Sequence, residues 1–375
     1  MNIFSSIKQK PLPSMFGLGG GLSGFVTIGP SGDLFEFNVY DSFTFTNCNL
    51  SGPDGPTIAQ MQSYYNGAYG NGWYSSTDFL DTATDATNNQ KVDGVQMMTI
   101  PANGTYLLTL QSPRTKYTAT PQRRGAKLAV EVDLVKGEKI YVVVGQQGGV
   151  GSYNGGGSGG TFVFKLQDLT NDSSPFELIA VAGGAGGQGP NNSSKNNART
   201  DASLSSSGHS GTNTDGTTAG SSGGSNGTAG SKDAGNSHSA APGAGWLTTS
   251  RVDGTTTSTC TGYSQNVSSG LGLLSSVVGG TRTVLQTSFT GGHGQNGSND
   301  DLKGGFGGGG GGSGACGSSG SGGGGGYSGG GVGNDCCESA GGGGGTYINT
   351  TITTTTVSPT LYDEVSGYMT IRRTA

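Results

Sequence analysis

Glycine is so frequent in one stretch of this chain that it limits what the chain can fold into. Residues 304–345 hold 25 glycines in 42 positions. Glycine loses more backbone entropy on folding than any other residue, and it buries no side chain. Composition alone therefore predicts a flexible Gly/Ser linker here. A collagen triple helix is excluded, because the stretch has no strict three-residue glycine period and no proline.

One folded alternative makes use of the missing side chains. Extended threefold helices have no internal hydrogen bonds, and their N–H and C=O groups point outward. Helices made of glycine can therefore lie side by side and bond to one another. This needs several short passes of the chain joined by turns, and the runs 307–312, 322–326, 329–333 and 341–345 fit that need. We predict structural glycine runs that include Gly307, Gly312, Gly322, Gly326, Gly341 and Gly345.

Alternating apolar and polar residues predict half-buried β-strands in the first half of the chain. The alternation covers Phe35–Tyr40, Phe43–Thr46 and Leu128–Leu134, and Asn103-Gly104 between two β-prone runs indicates a hairpin. Residues 51–90 are turn-rich and predict a long loop. No window shows helical periodicity. These patterns predict an all-β antiparallel sandwich with few or no α-helices.

Glycine runs also begin directly after two apolar strands. The runs 145–160 and 182–189 follow the sequences VVVG and ELIAVAGG. Runs that issue from the strands of a sandwich are anchored at their ends, an arrangement for which a linker has no need. We therefore predict that residues 304–345 fold into a bundle of glycine passes and do not form a flexible linker.

Shifts in composition divide the chain into four regions. Residues 1–30 form a Gly/Pro-punctuated arm that could dock to a particle, and 31–190 hold the β-sandwich with the first glycine runs. Residues 191–300, rich in Ser, Asn and Gly, predict solvated variable loops. Residues 301–375 hold the polyglycine region and a closing strand. The arm is too rich in Gly and Pro for a secretion signal, which favours assembly in the cytoplasm and use in a particle.

Charge and hydropathy exclude several classes of partner. Only 11% of residues are charged and the net charge is −5, so no basic patch predicts a nucleic-acid partner. No stretch approaches the roughly 18–20 apolar residues that a membrane span needs, and membrane insertion is not expected. His209, His238 and His293 lie in loop-like sequence without a partner that would hold a catalytic base. We expect no catalytic residue, no cofactor and no enzyme activity.

Five cysteines are too few and too scattered to form a disulfide framework. Cys316 could pair with Cys336 or with Cys337 and so staple the glycine-rich segment. The vicinal cysteines lack zinc-site spacing. Asp300, Asp301, Asp335 and Glu338 are more typical of surface turns than of a calcium site. We expect no metal site.

An aromatic cluster is the clearest candidate for surface recognition. Tyrosine and tryptophan on a loop suit contacts with sugars or proteins. The alternative is that these side chains cover one end of the sandwich. The candidate residues are Tyr64, Tyr65, Tyr69, Trp73 and Tyr74.

Several motifs together resemble a known glycine-rich domain, which occurs in receptors of the anaplastic-lymphoma-kinase type and in bacterial and phage proteins. The motifs are TIPANGTYLLTLQSP (99–113), RGAKLAVEVDLVKGEKIYVVVGQQGG (124–149), ELIAVAGGAGG (177–187), GGFGGGGGG (304–312) and GGGGGTYI (341–348). The resemblance implies a tumour-necrosis-factor-like jelly-roll sandwich carrying a bundle of polyglycine (type II) helices. It implies no catalytic residues. Bundles of this kind are also similar to the tip adhesins of some phage long fibres.

These observations predict a non-enzymatic structural or adhesive virion protein. A tailed-phage fibre, tip or decoration component fits them best, with other virion proteins and a host-surface glycan or protein as partners and a homo-oligomer as the assembly. The alternative is a secreted, cell-surface or matrix glycine-rich protein that binds a protein ligand or a polysaccharide. A hydrolase acting on host glycans rests on the loop aromatics alone.

Amide hydrogen exchange distinguishes the folded bundle from the linker. We expect slow exchange for the glycine N–H groups of 304–345, because each would be bonded to a neighbouring pass. Exchange followed by mass spectrometry, with an unstructured peptide of the same composition as the control, checks this. Fast exchange of every glycine in the stretch would restore the linker interpretation.

Overall fold

The computed structural model describes about three fifths of the chain, and every structural statement below concerns that part. The described residues are 34–35, 37, 40–69, 80–84, 91–117, 122–151, 154–167, 176–188, 198–212, 220–231, 240–247, 289, 291–292, 302–313, 320–333 and 339–375. They form, in chain order, β1 (Phe43–Thr46), α1 (Ile58–Tyr69), β2 (Leu80–Thr84), β3 (Lys91–Thr99), β4 (Gly104–Gln111), β5 (Gly125–Leu134), β6 (Lys139–Val143), β7 (Thr161–Leu166), β8 (Phe176–Ala182), β9 (Tyr347–Ile348), β10 (Thr353–Tyr362) and β11 (Tyr368–Arg373).

The strands form two antiparallel sheets that share one core. The first sheet has the order β1-β11-β4-β5-β10, and the second has the order β2-β3-β6-β7-β8-β9. Leu108 and Val130 of the first sheet lie in the same buried cluster as Val142 and Ile179 of the second. Alternation along β5 buries its even-numbered residues against this core. The prediction of an all-β protein with few α-helices is confirmed.

The hairpin predicted at Asn103-Gly104 is wrong. β3 pairs with β2 and β6, whereas β4 pairs with β5 and β11, so the chain changes sheets at this turn. The chain changes sheets again between β5 and β6, and hydrogen bonds join these two connections. Ile100 N donates to Glu138 O at 2.8 Å, and Lys136 N donates to Asn103 Oδ1 at 2.7 Å. Turn chemistry is local, and therefore it could not tell which sheet the next strand would join.

The alternation over Phe35–Tyr40 does not produce a strand at the described residues 34, 35, 37 and 40. Phe35 stacks on Tyr40 with ring centroids 5.4 Å apart, and Phe37 meets the edge of Tyr106 at 5.5 Å. Phe35 and Tyr40 are buried. These aromatic side chains therefore reach the core from outside the described strands.

Helix α1 was not expected, because 51–90 predicted a loop. A capping box begins it: Gln60 N donates to Thr57 Oγ1 at 3.3 Å, and Thr57 N donates to Gln60 Oε1 at 2.8 Å. Met61 and Tyr65, four residues apart, are fully buried on the same helix face. The sequence Thr57-Ile-Ala-Gln60 was the signal that would have predicted this start.

The buried hydroxyl of Tyr65 ties α1 to both sheets, and its removal is expected to destabilise the fold. Tyr65 OH donates to Gln96 Oε1 at 2.7 Å and accepts from Thr46 N at 3.0 Å. Tyr65→Phe leaves those two groups without this partner, so the free energy of unfolding should fall by about 1–3 kcal/mol. Urea denaturation measures the change. The half-buried Tyr64 is the matched control, and Tyr64→Phe should stay within about 0.5 kcal/mol of the native protein; equal effects would contradict this role.

Candidate functional site

Glycine-rich passes leave the second sheet side by side at one end. Residues 145–151 follow β6, 154–160 lead into β7, 183–188 follow β8, and 341–345 precede β9. The strands β6, β7, β8 and β9 are consecutive neighbours in the sheet. The sheet therefore sets the spacing of the first four passes, as the sequence predicted when it placed glycine runs directly after apolar strands.

The pass 322–327 shows how the passes are joined. Its six backbone N–H groups donate in rotation to three neighbouring passes, and every third residue returns to the same neighbour. The bonds are Gly322 and Gly325 to Gly155 O and Ser158 O, Gly323 and Gly326 to Ala241 O and Ala244 O, and Gly324 and Tyr327 to Gly342 O and Gly345 O. The donor–acceptor distances run from 2.8 to 3.4 Å. The hydrogen-bonding direction of this pass therefore repeats every three residues.

The same pass accepts hydrogen bonds from three further passes. Gly310 N donates to Gly323 O, Gly184 N donates to Gly325 O, and Gly330 N donates to Gly324 O. The pass 322–327 is thus surrounded by six others. The passes 329–333 and 341–346 show the same rotation of donors among three neighbours. We call this set of bonded passes, drawn from 145–160, 183–188, 199–247 and 302–346, the glycine lattice.

Close approach explains why the lattice needs glycine. A Cβ added at any residue of 322–326 would overlap a backbone carbonyl oxygen of a neighbouring pass. For Gly322 the overlapped oxygen belongs to Gly310, and for Gly324 it belongs to Gly184. Backbone atoms cannot move aside as a flexible side chain can, so these positions exclude every other residue type.

The six predicted glycines are all buried. Five of them lie in passes as predicted, whereas Gly307 does not. Gly322, Gly326, Gly341 and Gly345 lie within straight passes, and Gly312 N donates to Leu302 O at 2.8 Å. Gly307, however, lies in a turn with φ +100°, followed by Gly308 at +85°. The chain therefore enters along 302–306, reverses, and leaves along 309–313.

The described segments of 191–300 differ from the solvated loops that were predicted there. His209 N and Thr212 N donate to Gly343 O and Ala340 O, and Ala241, Ala244 and Trp246 are buried. Alanine and serine thus occupy positions in these passes alongside glycine. The run AAPGAGW (240–246) was the signal of such a pass, since it holds only small residues and proline before its tryptophan.

Aromatic side chains fasten the lattice to the outer face of the second sheet. Phe162 stacks on Trp246 at 6.2 Å and lies 5.0 Å from Phe289. Phe306, at the turn, is fully buried in the same cluster, and Tyr327 packs against it. An ion pair also links the lattice to the residue before β5 of the first sheet, because Arg124 Nη2 lies 2.8 Å from Asp201 Oδ2.

The predicted aromatic recognition cluster is only partly described. Tyr65 is fully buried and cannot contact a partner, so the alternative interpretation, that it covers the sandwich, holds for this residue. Tyr64 is half-buried and meets the edge of the Tyr65 ring. Tyr69 ends α1. Trp73 and Tyr74 lie outside the described residues.

Other reactive side chains in the described part are held in structural roles. His209 Nδ1 lies 3.1 Å from the carbonyl oxygen of Asp201. Burial raises the pKa of the Cys48 thiol to about 12, which keeps it neutral and unreactive near pH 7. Among the described residues no group of histidine, cysteine or acidic side chains could hold a metal ion, and no helix is long and apolar enough to cross a membrane.

Several predicted residues lie outside the described part: Cys316, Cys336 and Cys337, the four acidic residues considered for calcium, His238, His293 and the arm 1–30. Gly320 and Ser339, which follow the cysteine-bearing segments, form a parallel bridge with each other. The disulfide between Cys316 and Cys336 or Cys337 stays a prediction.

No protein-family model matches the chain, and no curated protein matches it. The resemblance to the glycine-rich domain therefore also stays a prediction.

A single methyl group should disrupt the lattice at its centre. We expect Gly324→Ala to lower the free energy of unfolding by about 1–3 kcal/mol or more, because the added Cβ overlaps the backbone of the pass 183–188. Gly67→Ala in α1 is the matched control, since its Cβ would meet no atom within 4 Å. Helix propensity predicts that this control gains up to about 1 kcal/mol. Thermal or urea unfolding measures both, and equal stability of the two variants would contradict close packing at Gly324.

Proposed function

We propose that the glycine lattice is a bundle of polyglycine type II helices carried by a jelly-roll sandwich. An extended threefold helix turns once every three residues and makes no bonds within itself. The three-residue rotation of donors and the six neighbours around 322–327 support this conformation. The overlap of any added Cβ with neighbouring carbonyl groups supports the same packing.

We further propose that the chain is a non-enzymatic structural and adhesive protein of a virus particle, a tailed-phage fibre, tip or decoration component. The observation that carries this proposal is that the two ends of the molecule differ. At the end of the lattice far from the sandwich, described pass ends contact one another. The contacts are Gly151 N to Asn154 O, Asn154 Nδ2 to Ser313 O, Ser313 N to Gly320 O, Gly333 N to Ser321 O, and Thr212 N to Ala340 O.

The opposite end of the sandwich holds the first and last described residues. Phe37 packs on Tyr106, whose hydroxyl donates to Ala102 O at 2.6 Å. Arg373 Nη2 donates to Asn103 O at 2.7 Å. The described chain thus begins near the end opposite to the gathered pass ends. This separation suits a protein that docks to a particle at one end and meets a surface at the other.

Recognition is assigned to the sequence that links the gathered pass ends. The linking segments 189–197, 213–219, 232–239 and 293–301 are dominated by Asn, Ser, Gly, Asp and Thr. Such residues supply adaptable polar contacts on binding surfaces. A rigid lattice beneath them lowers the entropy that is lost on binding. The partners proposed are a host-surface glycan or protein and the other proteins of the particle, with the chain present as a homo-oligomer.

Mass spectrometry of purified particles tests the proposed function. We expect tryptic peptides of this chain, such as the one that spans 128–136, at a level comparable to known minor structural proteins of the same preparation. Detergent-washed particles and a mock preparation from uninfected cells are the controls. Absence from the particles overturns the proposal, and recovery of the chain only from the cell surface or medium would favour the alternative, an exported ligand-binding protein.

A further inference from the structure

Three passes at one flank of the lattice place six hydroxyl-bearing residues in a grid. The segments 207–211 and 221–225 run antiparallel, with Gly208 N donating to Gly224 O at 2.9 Å and Gly211 N to Ser221 O at 3.0 Å. This register sets Ser210 opposite Ser222 and Ser207 opposite Ser225. The next pass continues both rows, because Ser231 N donates to Ser222 O at 2.8 Å and Thr228 N to Ser225 O at 2.9 Å.

The six residues form two rows of three residues each. One row is Ser210, Ser222 and Ser231, and the other is Ser207, Ser225 and Thr228. The rows are three residues apart along each pass, roughly 9 Å for an extended chain that rises about 3.1 Å per residue. Five of the six residues are exposed and Ser210 is half-buried. We call these six residues the hydroxyl face.

The hydroxyl face is rigid and uncharged. Its passes bond inward to the lattice: Gly224 N donates to Gly329 O, Ser221 N to Val332 O, and His209 N to Gly343 O. The segments 202–212 and 220–231 contain no Asp, Glu, Lys or Arg. The half-buried His209 lies between the two rows, and the described passes present no carboxylate, ammonium or guanidinium group to a ligand.

Exposed apolar side chains border the hydroxyl face. Leu204 lies three residues before Ser207, and Leu247 N donates to Gly227 O in the turn between Ser225 and Thr228. Each leucine is 43% exposed, and both rank among the few large apolar side chains that the described residues leave to solvent. Both leucines lie at the edge of the row that contains Ser207, Ser225 and Thr228. The flank thus offers apolar contact beside an ordered set of hydroxyl groups.

We propose that the hydroxyl face binds a neutral polysaccharide. A serine or threonine hydroxyl can donate one hydrogen bond and accept up to two, which matches the hydroxyl groups of a sugar. Within the face, Thr228 Oγ1 donates to Ser225 O at 2.8 Å and Ser231 Oγ donates to Ser222 O at 3.0 Å, so these two hydroxyls meet a ligand as acceptors. The two leucines match the apolar C–H surface of a pyranose ring, and the repeated rows match a repeating chain. The absence of charge favours a neutral polymer over an acidic one. This site goes beyond the proposed function, which assigns recognition to the gathered pass ends, and does not depend on the chain being part of a particle.

Binding of the purified full chain to polysaccharides tests the site. The probes are insoluble cellulose, chitin and starch in sedimentation assays, with pectate as the acidic polymer and ice-recrystallisation inhibition as a separate assay. We expect binding to at least one neutral polymer and none of comparable strength to pectate. Substituting Ser210→Ala, Ser222→Ala and Ser225→Ala together should weaken that binding about tenfold or more, because three hydrogen bonds are lost. The backbone bonds of the passes remain in this variant.

A matched variant removes three hydroxyls from another surface. Thr355, Thr356 and Thr360 are exposed on β10, and their combined replacement by alanine should leave binding unchanged. Circular dichroism and thermal unfolding of both variants show that the fold is retained; if the serine variant unfolds, the single variants Ser210→Ala and Ser222→Ala replace it. No binding of the native chain to any neutral polymer overturns the proposal. Equal losses in the two triple variants, or activity on ice without binding to polysaccharide, overturn it as well.

Discussion

The hydrogen bond between an N–H group of one glycine pass and a C=O group of the next is the interaction on which the rest of this structure depends. In a helix or a sheet the backbone satisfies itself within one element or between adjacent strands. In the lattice a central pass distributes its donors among three neighbours, as 322–327 does with the passes that contain Gly155, Ala241 and Gly342. A buried backbone without such partners would be costly, so the passes are stable only as a set.

This dependence explains the shape of the molecule. Glycine passes bury no apolar side chains, so they lack the hydrophobic stabilisation that drives most folding. The sandwich supplies this stabilisation through a core shared by both sheets and through aromatic contacts such as those of Phe162 with Trp246 and Phe289. Four neighbouring strands then deliver the first passes at a fixed spacing. The entropy lost on ordering the glycines is offset by a backbone that is bonded in several directions at once.

Much of the fold could be predicted from local patterns. Alternation located β1 and β5, the β-prone run after Asn103-Gly104 located β4, and the apolar sequence VVVG located the end of β6. The predictions that failed needed distant information. Asn103-Gly104 marked a turn, but the partner of each flanking strand depends on contacts with residues far along the chain. Tyr65 looked like a recognition residue because it belongs to an aromatic cluster in a predicted loop, yet the helix it belongs to turns it into the core. The grid of serines was also hidden, since its rows join residues from three passes.

The amino-acid sequence by itself determined that this chain is a β protein and that several of its glycine runs begin or end at strands. Those features follow from periodicity and from the entropy of glycine, which act over a few residues. Only the tertiary structure decided which pass neighbours which, that Gly307 lies at a turn, and that parts of 198–247 belong to the lattice. The reason is physical: glycine runs of similar composition carry no side chains to tell them apart. Their neighbours are therefore selected by the strands and aromatic anchors that position their ends.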